Sequence, residues 1–154
     1  MSATRPEATG EQAHYRRLEA LYRSAPINGL FESQLAIIGP GQSELTFDVD
    51  GDSFHAAGAA HGALYFKMLD DAAFYAANSL ISDRFLLTTA FNLHFTAPMR
   101  EGPARAEGRW ISGRRRVLVA EARIIDSDGE ECGRGTGTFL RSHIPLTGLA
   151  GYTL

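Results

Sequence analysis

The stretch HGALYFKMLDDAAFYAANSL, residues 61–80, decides the fold of this chain. Apolar residues fall on every side of the helix that it predicts, and such a helix is buried, either in a soluble core or in a membrane. The charged residues Lys67, Asp70 and Asp71 argue against a bilayer. A buried carboxylate is costly unless it is paired or used. The helix therefore predicts the centre of the fold and the place to search for function.

Length and composition favour one globular domain. The chain has 154 residues, 44% of them hydrophobic and 21% charged, which suffices for a core without disulfides. A net charge of −3 does not suggest a nucleic-acid binder, and the single Cys132 excludes an intrachain disulfide. There is no apolar run of the roughly 20 residues that span a membrane, and no signal-peptide pattern. We expect a cytoplasmic protein without nucleic-acid or membrane partners.

Hydrophobic periodicity predicts an α+β domain over residues 11–145, between a disordered tail (1–10) and a C-terminal tail (146–154). A helix is expected over 11–24, and the central helix over 61–82. Strands are expected before the central helix at 34–39 and 44–50, and after it at 88–96, 104–112, 115–126 and 131–141. We expect the last four strands to form an antiparallel meander in a sheet wrapped around the helix.

The start of the central helix suits a carbonyl group. Unpaired N–H groups and the positive end of the helix dipole lie there, and Gly62 allows a carbonyl to approach closely. Asp70 follows His61 by nine residues, about 13 Å along the axis. Asp70 and Gly62 of one chain therefore cannot act on the same atom. A second chain with its helix antiparallel would bring the two together, so we expect any active site to be shared across a dimer.

The charged residues of this helix also allow simpler roles. Lys67 lies four residues before Asp71, and an i,i+4 ion pair would neutralise that acid without catalysis, which we favour for Asp71. Asp70 points about 100° away, although an i,i+3 pair with Lys67 stays open. On the residues alone, His61 is expected to cap the helix or bond a loop more readily than to catalyse.

The segment HGALYFKMLD resembles the HGG-x6-D helix signature of the hotdog-fold acyl-CoA thioesterases, the PaaI-like and 4-hydroxybenzoyl-CoA thioesterase group. FNLHFTAP (91–98) is similar to that family's third strand, and residues 113–139 resemble its GRR strand, D-x-D-G hairpin and closing G-x-G-T-F strand. The resemblance runs from about residue 30 to residue 141. It implies an antiparallel sheet around one long helix, and hydrolysis of an acyl-CoA to a free carboxylic acid and CoA.

The resemblance also implies roles for single residues. Asp70 matches the family's helix carboxylate, which acts as general base on water or as nucleophile, and Gly62 matches the residue whose N–H polarises the thioester carbonyl. His61 matches the histidine that shapes the loop, and Thr88 falls near a hydroxyl that holds the water in some members. The turn that often binds the nucleotide or phosphates of CoA is matched by Gly113, Arg114 and Arg115.

The chain departs from the family pattern at two positions. Ala63 replaces the second glycine of the signature, beside the carbonyl site. His55 replaces an asparagine found in many members, and a titrating donor there would make activity depend on pH; a plain loop role for His55 is equally open. Phe74 and its aromatic neighbours would line a pocket for an aromatic or medium-chain acyl group. A solvated hairpin end is the alternative for the arginines after Gly113.

No histidine spacing of the H-x-x-x-H type and no second cysteine is present, so we expect no metal and no cofactor beyond CoA as part of the substrate. Hotdog proteins form dimers or tetramers, and we expect a homodimer as the minimum unit, with edge strands paired. Two other functions stay open. One is a hotdog hydratase or dehydratase, and the other is a non-catalytic acyl-CoA or lipid-binding protein, which Ala63 and His55 make credible.

Overall fold

The computed structural model describes residues 10–154, which fold into a six-stranded antiparallel sheet and two helices. The elements in chain order are α1 (Gly10–Ser24), β1 (Gln34–Gly39), β2 (Gln42–Val49), α2 (Gly62–Asn78), β3 (Arg84–Phe95), β4 (Gly102–Ser112), β5 (Val117–Ile125) and β6 (Glu131–Pro145). The strand order across the sheet is β1-β2-β4-β5-β6-β3. This is the expected α+β class, with one long helix held against a single sheet.

The central helix α2 is the core of the domain and contacts every strand. Its fully buried side chains are small or flexible, which lets the sheet approach closely; they are Met68, Leu69, Ala72, Ala73, Ala76, Ala77 and Asn78. The closest approach is at Gly108 on β4, where any Cβ would clash with the backbone carbonyl of Ala72. Such a fit between helix and sheet leaves no room for a ligand beneath α2, so function must lie at its ends or along its exposed side.

The helix ends at Asn78, four residues before the predicted end, because the Asn78 side chain organises the turn that follows. Its amide nitrogen donates to the carbonyls of Ile81 and Arg84 at 3.0 Å, and its oxygen accepts from the N–H of Leu86 at 3.0 Å. The amide thereby replaces a further helical turn. The chain leaves α2 directly into β3, which begins four residues earlier than the periodicity predicted.

The predicted four-strand meander is wrong in one respect. Strand β3 pairs with β6 at the edge of the sheet, and β4 pairs with β2 instead, so the meander is limited to β4, β5 and β6. The large residues of β3 explain the choice of partner. Phe91 lies opposite Gly137, and Leu93 lies opposite Gly135, so the bulky side chains of one strand pack over positions of the other that have none.

Both ends of the described chain lie against the domain. The predicted tail over residues 1–10 lies outside the described residues except for Gly10, which begins α1. After β6, Leu146 is fully buried and the Tyr152 hydroxyl lies 2.6 Å from His14 Nδ1 on α1. None of the helices in residues 10–154 has the length and hydropathy of a membrane span.

Candidate active site

The carboxyl group of Asp70 lies half-buried in the middle of α2, beneath the edge strand β3. Thr88 on that strand donates a hydrogen bond from Oγ1 to Asp70 Oδ1 at 2.9 Å. Burial raises the pKa of Asp70 to about 6; the negative charge of Asp71 adds to the rise, while the Thr88 hydrogen bond and Lys67 oppose it. A carboxylate with a pKa near 6 is a stronger base than an exposed aspartate and is still ionised at neutral pH.

A β-bulge turns Thr88 toward Asp70. Thr88 pairs with Phe139, and Ala90 pairs with the next residue Thr138, so Thr89 is an extra residue in β3. Because successive strand residues alternate faces, this insertion places Thr88 on the same face as Phe91, toward α2. The Oγ1 of Thr89 lies 2.9 Å from Thr138 Oγ1 and 3.1 Å from the Thr138 carbonyl, which holds the bulge in place.

The neighbouring acid Asp71 is engaged elsewhere. Lys67 Nζ forms the predicted i,i+4 ion pair with Asp71, and it also donates to Asn28 Oδ1 at 2.7 Å and to the Tyr22 hydroxyl at 3.4 Å. The predicted ion pair is therefore present in the structure. Burial raises the pKa of Asp71, and Lys67 opposes that rise. The lysine is committed to this cluster, so Asp70 carries no ion pair within the described chain.

The N-terminus of α2 presents the Gly62 N–H. His61 is the N-cap, and its Nδ1 accepts from the Ala63 N–H at 2.9 Å, as the simpler expectation for this histidine had it. The N–H of Gly62, at the first helical position, has no acceptor within the helix. The ring of Phe95 lies over this glycine, since a Cβ on Gly62 would come within 3.2 Å of its Cζ. A side chain at this position would have to move the Phe95 ring by a few tenths of an ångström.

A surface pocket of about 420 Å³ opens beside Gly62. Its walls include His55, which is exposed and whose Nδ1 accepts from the Ala57 N–H at 3.0 Å. The structure thus brings His55 and Gly62 to one pocket, with Tyr65 and Phe95 as its aromatic walls. The Asp70 carboxyl does not line this pocket. Within one chain, the Gly62 N–H and the Asp70 carboxyl therefore lie apart on α2.

Ala63 lies on the other side of the helix N-terminus, in a cleft of about 1490 Å³. Acidic residues dominate the charged groups of this cleft; they are Glu32, Asp48, Asp50, Asp52, Asp126 and Asp128. Negative walls repel phosphate groups. The cleft is thus a poor site for CoA, and the structure does not bring Ala63 into the pocket beside Gly62.

The turn at Gly113 lies at the opposite end of α2. Gly113 adopts φ 85°, and its carbonyl accepts from Trp110 Nε1 at 2.8 Å. The guanidinium of Arg114 stacks over the Trp110 ring, 5.0 Å from its centroid, and Arg115 is exposed. Trp110 packs on Gly41, whose N–H bonds to Ser79 just after α2, which fixes the location of this turn. The arginines are available to an anion, but away from Gly62 of the same chain.

Phe74 is buried in an aromatic cluster rather than exposed in a pocket. Its ring packs against Tyr75, Phe85 and Phe139, with centroids 5.0 to 5.8 Å apart. Phe74 is therefore a core residue, one helical turn after Asp70. It can shape a substrate pocket only from behind, and the open aromatic walls lie elsewhere.

Two aromatic residues near the site were read from the sequence only as strand residues. Phe91 meets Phe66 edge to face, with ring centroids 5.7 Å apart, and Phe95 meets Tyr65 in the same way at 5.0 Å. Phe66 and Phe95 are 43% and 60% exposed, unusually open for phenylalanine. The sequence did contain a signal for Phe91 and Phe95. Large residues alternate along β3, and glycines alternate in the same way along β6.

Comparison with known proteins identifies the family. A family model for the thioesterase superfamily matches residues 57–133, which contain α2, β3, β4 and β5. A protein of Saccharolobus solfataricus, named provisionally as an esterase, is 30% identical over 100 residues, 65% of this chain and 67% of that protein. The chain belongs to the thioesterase superfamily.

Solved structures show the same fold. The PaaI protein from the phenylacetic acid degradation operon of Escherichia coli superposes with a TM-score of 0.81 at 17% identity, over 89% of this chain and 99% of that one. A thioesterase of Haemophilus influenzae superposes with a TM-score of 0.73 at 18% identity, over 82% of this chain and 88% of that one. A Streptococcus mutans protein bound to acetyl CoA superposes with a TM-score of 0.66 at 18% identity, over 72% of this chain and 89% of that one. The expected hotdog fold is confirmed.

Proposed function

We propose that this protein hydrolyses an acyl-CoA thioester to a carboxylic acid and CoA. The observation that carries the proposal is the state of the Asp70 carboxyl. It is half-buried, has no ion pair in the described chain, and is hydrogen-bonded to Thr88 on the edge strand β3. Membership of the thioesterase superfamily supports the reaction, and the Streptococcus mutans protein of the same fold supports CoA as the carrier, since it was solved with acetyl CoA.

The reaction needs a polarised carbonyl and an activated oxygen nucleophile. The N–H of Gly62 donates to the carbonyl oxygen and stabilises the oxyanion of the tetrahedral intermediate. Asp70 removes a proton from a water molecule, whose oxygen bonds to the carbonyl carbon, and Thr88 orients that water. Collapse of the intermediate breaks the C–S bond and releases the CoA thiolate, which needs no strong acid to leave. In the alternative route, an Asp70 oxygen bonds to the carbonyl carbon and the C–S bond breaks, which releases the CoA thiolate and leaves a mixed anhydride. Water then hydrolyses this anhydride to the free acid and regenerates Asp70.

Two subunits complete each site in this proposal. Gly62 and Asp70 are eight residues apart on one helix, about 12 Å along its axis, so they cannot touch one carbonyl. The outer edge of β3 has no partner strand in the described chain, and an unpaired edge favours pairing with a second copy. Antiparallel pairing of two β3 strands sets the α2 helices antiparallel. Asp70 then approaches Gly62 of the partner subunit.

The arginine turn fits the same arrangement. Arg114 and Arg115 lie at the C-terminal end of α2, which in an antiparallel pair is the end nearer to the partner's Gly62. Guanidinium groups bind phosphate well, and Arg114 is already held by the Trp110 ring. We propose that this turn binds the phosphates of the CoA whose thioester lies between the subunits, in a homodimer or a homotetramer.

Release of free thiol from a panel of aryl- and fatty-acyl-CoA esters tests the proposal. Asp70→Asn keeps the size of the side chain and can still accept from Thr88, so it is expected to fold and to lose activity by about 10²–10⁴-fold. Asp71→Asn is the matched control, because it removes the adjacent charge and should keep turnover within about tenfold of wild type.

Two results would contradict the proposal. Wild type that binds CoA esters but releases no thiol from any of them would indicate the non-catalytic binding protein instead. Equal losses in the Asp70 and Asp71 variants would mean that the acidic pair matters only for the structure of α2. Light scattering on the same samples measures the subunit number, which must be at least two.

A further inference from the structure

The inner face of β6 carries three alternate glycines that the reaction itself does not use. They are Gly133, Gly135 and Gly137, and each is buried. A Cβ on Gly137 would lie 2.5 Å from Cδ2 of Phe91, and one on Gly135 would lie 2.9 Å from its Cζ. Real side chains do not come this close, so the ring of Phe91 rests directly on the backbone of β6. Gly135 and Gly137 together form a seat for this ring.

The seated ring lies next to the proposed reacting carboxylate. The bulge at Thr89 places Phe91 and Thr88 on the same face of β3, toward α2. The other side of the Phe91 ring contacts Phe66, which lies one helical turn before Asp70 and is 43% exposed. Phe66 and Phe91 thus form an aromatic pair on the two elements that carry Asp70 and Thr88. In the dimer of the proposed function, the depth of the Phe91 ring sets how much space remains beside Asp70.

A methyl group on the seat would remove part of this space. An ordinary Cβ contact begins near 3.4 Å, so an alanine at position 137 must lift the Phe91 ring by about 1 Å from its present 2.5 Å. The same Cβ would lie 2.8 Å from Cζ of the buried Phe139, whose ring must shift as well, by a smaller amount. Since β6 is paired on both sides, the strand itself is poorly able to retreat.

We propose that Gly135 and Gly137 determine which acyl groups the site accepts. They let the Phe91 ring lie against the backbone of β6, which leaves room beside Asp70. The two glycines are positioning residues that act through Phe91. This inference rests on the proposed thioesterase function and adds a residue basis for its acyl selectivity. Glycines on β6 permit a bulky acyl group, whereas alanines there restrict the site to short ones.

The test compares kcat/KM for acetyl-CoA with that for the bulkiest ester that wild type hydrolyses. Gly137→Ala is expected to lower the value for the bulky ester by about tenfold or more, because a misfit of one methylene costs 10–200-fold in such pockets. The value for acetyl-CoA should stay within about threefold. Phe91→Leu removes the ring and should shift the preference the opposite way. The double variant Gly137→Ala with Phe91→Leu should return toward the wild-type ratio.

Several outcomes would overturn the inference while leaving the thioesterase function intact. These are an unchanged ratio in Gly137→Ala, an equal loss on all esters, or a double variant no closer to wild type than Gly137→Ala alone. If Gly137→Ala does not fold, the ratio in Phe91→Leu decides the question, since that variant leaves β6 unaltered. Wild type without thiol release would instead contradict the proposed function, and this inference with it.

Discussion

Thr88 on the edge strand donates a hydrogen bond to Asp70 on the central helix, with 2.9 Å between their side-chain oxygens. This bond links β3 to α2 next to the proposed reacting carbon. The donor favours the ionised form of Asp70, so it offsets part of the rise in pKa that burial causes. The bond therefore affects both the basicity and the orientation of this carboxylate.

Removing that donor should move the pH dependence of the reaction. The acid limb of kcat/KM is expected near the Asp70 pKa of about 6 in wild type. In Thr88→Val the ionised form loses its hydrogen bond, so the pKa rises and the limb should shift to higher pH by roughly one unit. Thr88→Ser keeps the hydroxyl and is the matched control. If the acid limb of kcat/KM does not move in Thr88→Val, the group that titrates there is not hydrogen-bonded to Thr88.

Asp70 should also make the protein less stable at neutral pH. Its folded pKa of about 6 lies above the ordinary value of 3.8, so the folded protein holds the proton more tightly than the unfolded chain. The resulting stability is fully present below about pH 4 and is lost as pH rises through about 6. Asp70→Asn removes the ionisation and is expected to raise the free energy of unfolding by about 2 kcal/mol at pH 8, with no gain near pH 4. Urea denaturation at both pH values measures this, and a variant less stable than wild type at pH 8 would contradict it.

The ion pair between Lys67 and Asp71 should be structural. Lys67→Met leaves a buried carboxylate without its cation, which is expected to cost about 3 kcal/mol of unfolding free energy. The double variant Lys67→Met with Asp71→Asn removes the charge as well and should recover much of that loss. Denaturant unfolding of the set forms a double-mutant cycle. A double variant whose loss equals the sum of the losses in Lys67→Met and Asp71→Asn would mean that the pair contributes nothing to folding.

Mixed dimers should test whether two chains share one site. Gly62→Val adds a branched side chain that crowds Phe95 and the approach of a carbonyl to the N–H, while Asp70→Asn removes the proposed base. Each variant alone should be inactive. Co-expression with random pairing makes half of the dimers mixed, and each mixed dimer keeps one complete site of two, so about a quarter of wild-type activity should return. Continued inactivity of confirmed mixed dimers would place the whole site within one chain.

The central features of this fold could be predicted from the sequence because they depend on local spacing. The all-round apolar pattern after His61 specified a buried helix, and the four-residue interval between Lys67 and Asp71 specified their ion pair. Period-two alternation located each later strand. These signals depend on helix and strand geometry alone, so they survive without knowledge of what packs against them.

Features set by contacts between distant residues could not be predicted in the same way. Strand β3 joins β6 because Phe91 packs over glycines more than 40 positions along the chain, which no local pattern reveals. The bulge at Thr89 depends on pairing with Thr138. The covering of Gly62 by Phe95 depends on how β3 passes the start of α2. Each of these shapes the surroundings of the proposed site, whose residues had been predicted from the sequence.

The bulge makes the pairing of β3 as important as the identity of its residues. If Thr89 were paired as an ordinary strand residue, Thr88 and Phe91 would be three positions apart in strict alternation, and only one of them could face α2. Deleting Thr89 would instead leave a regular ladder in which Thr88 and Phe91 are two positions apart and still share a face. When relatives are aligned, a one-residue gap at this point is therefore compatible with an unchanged inner face of the strand.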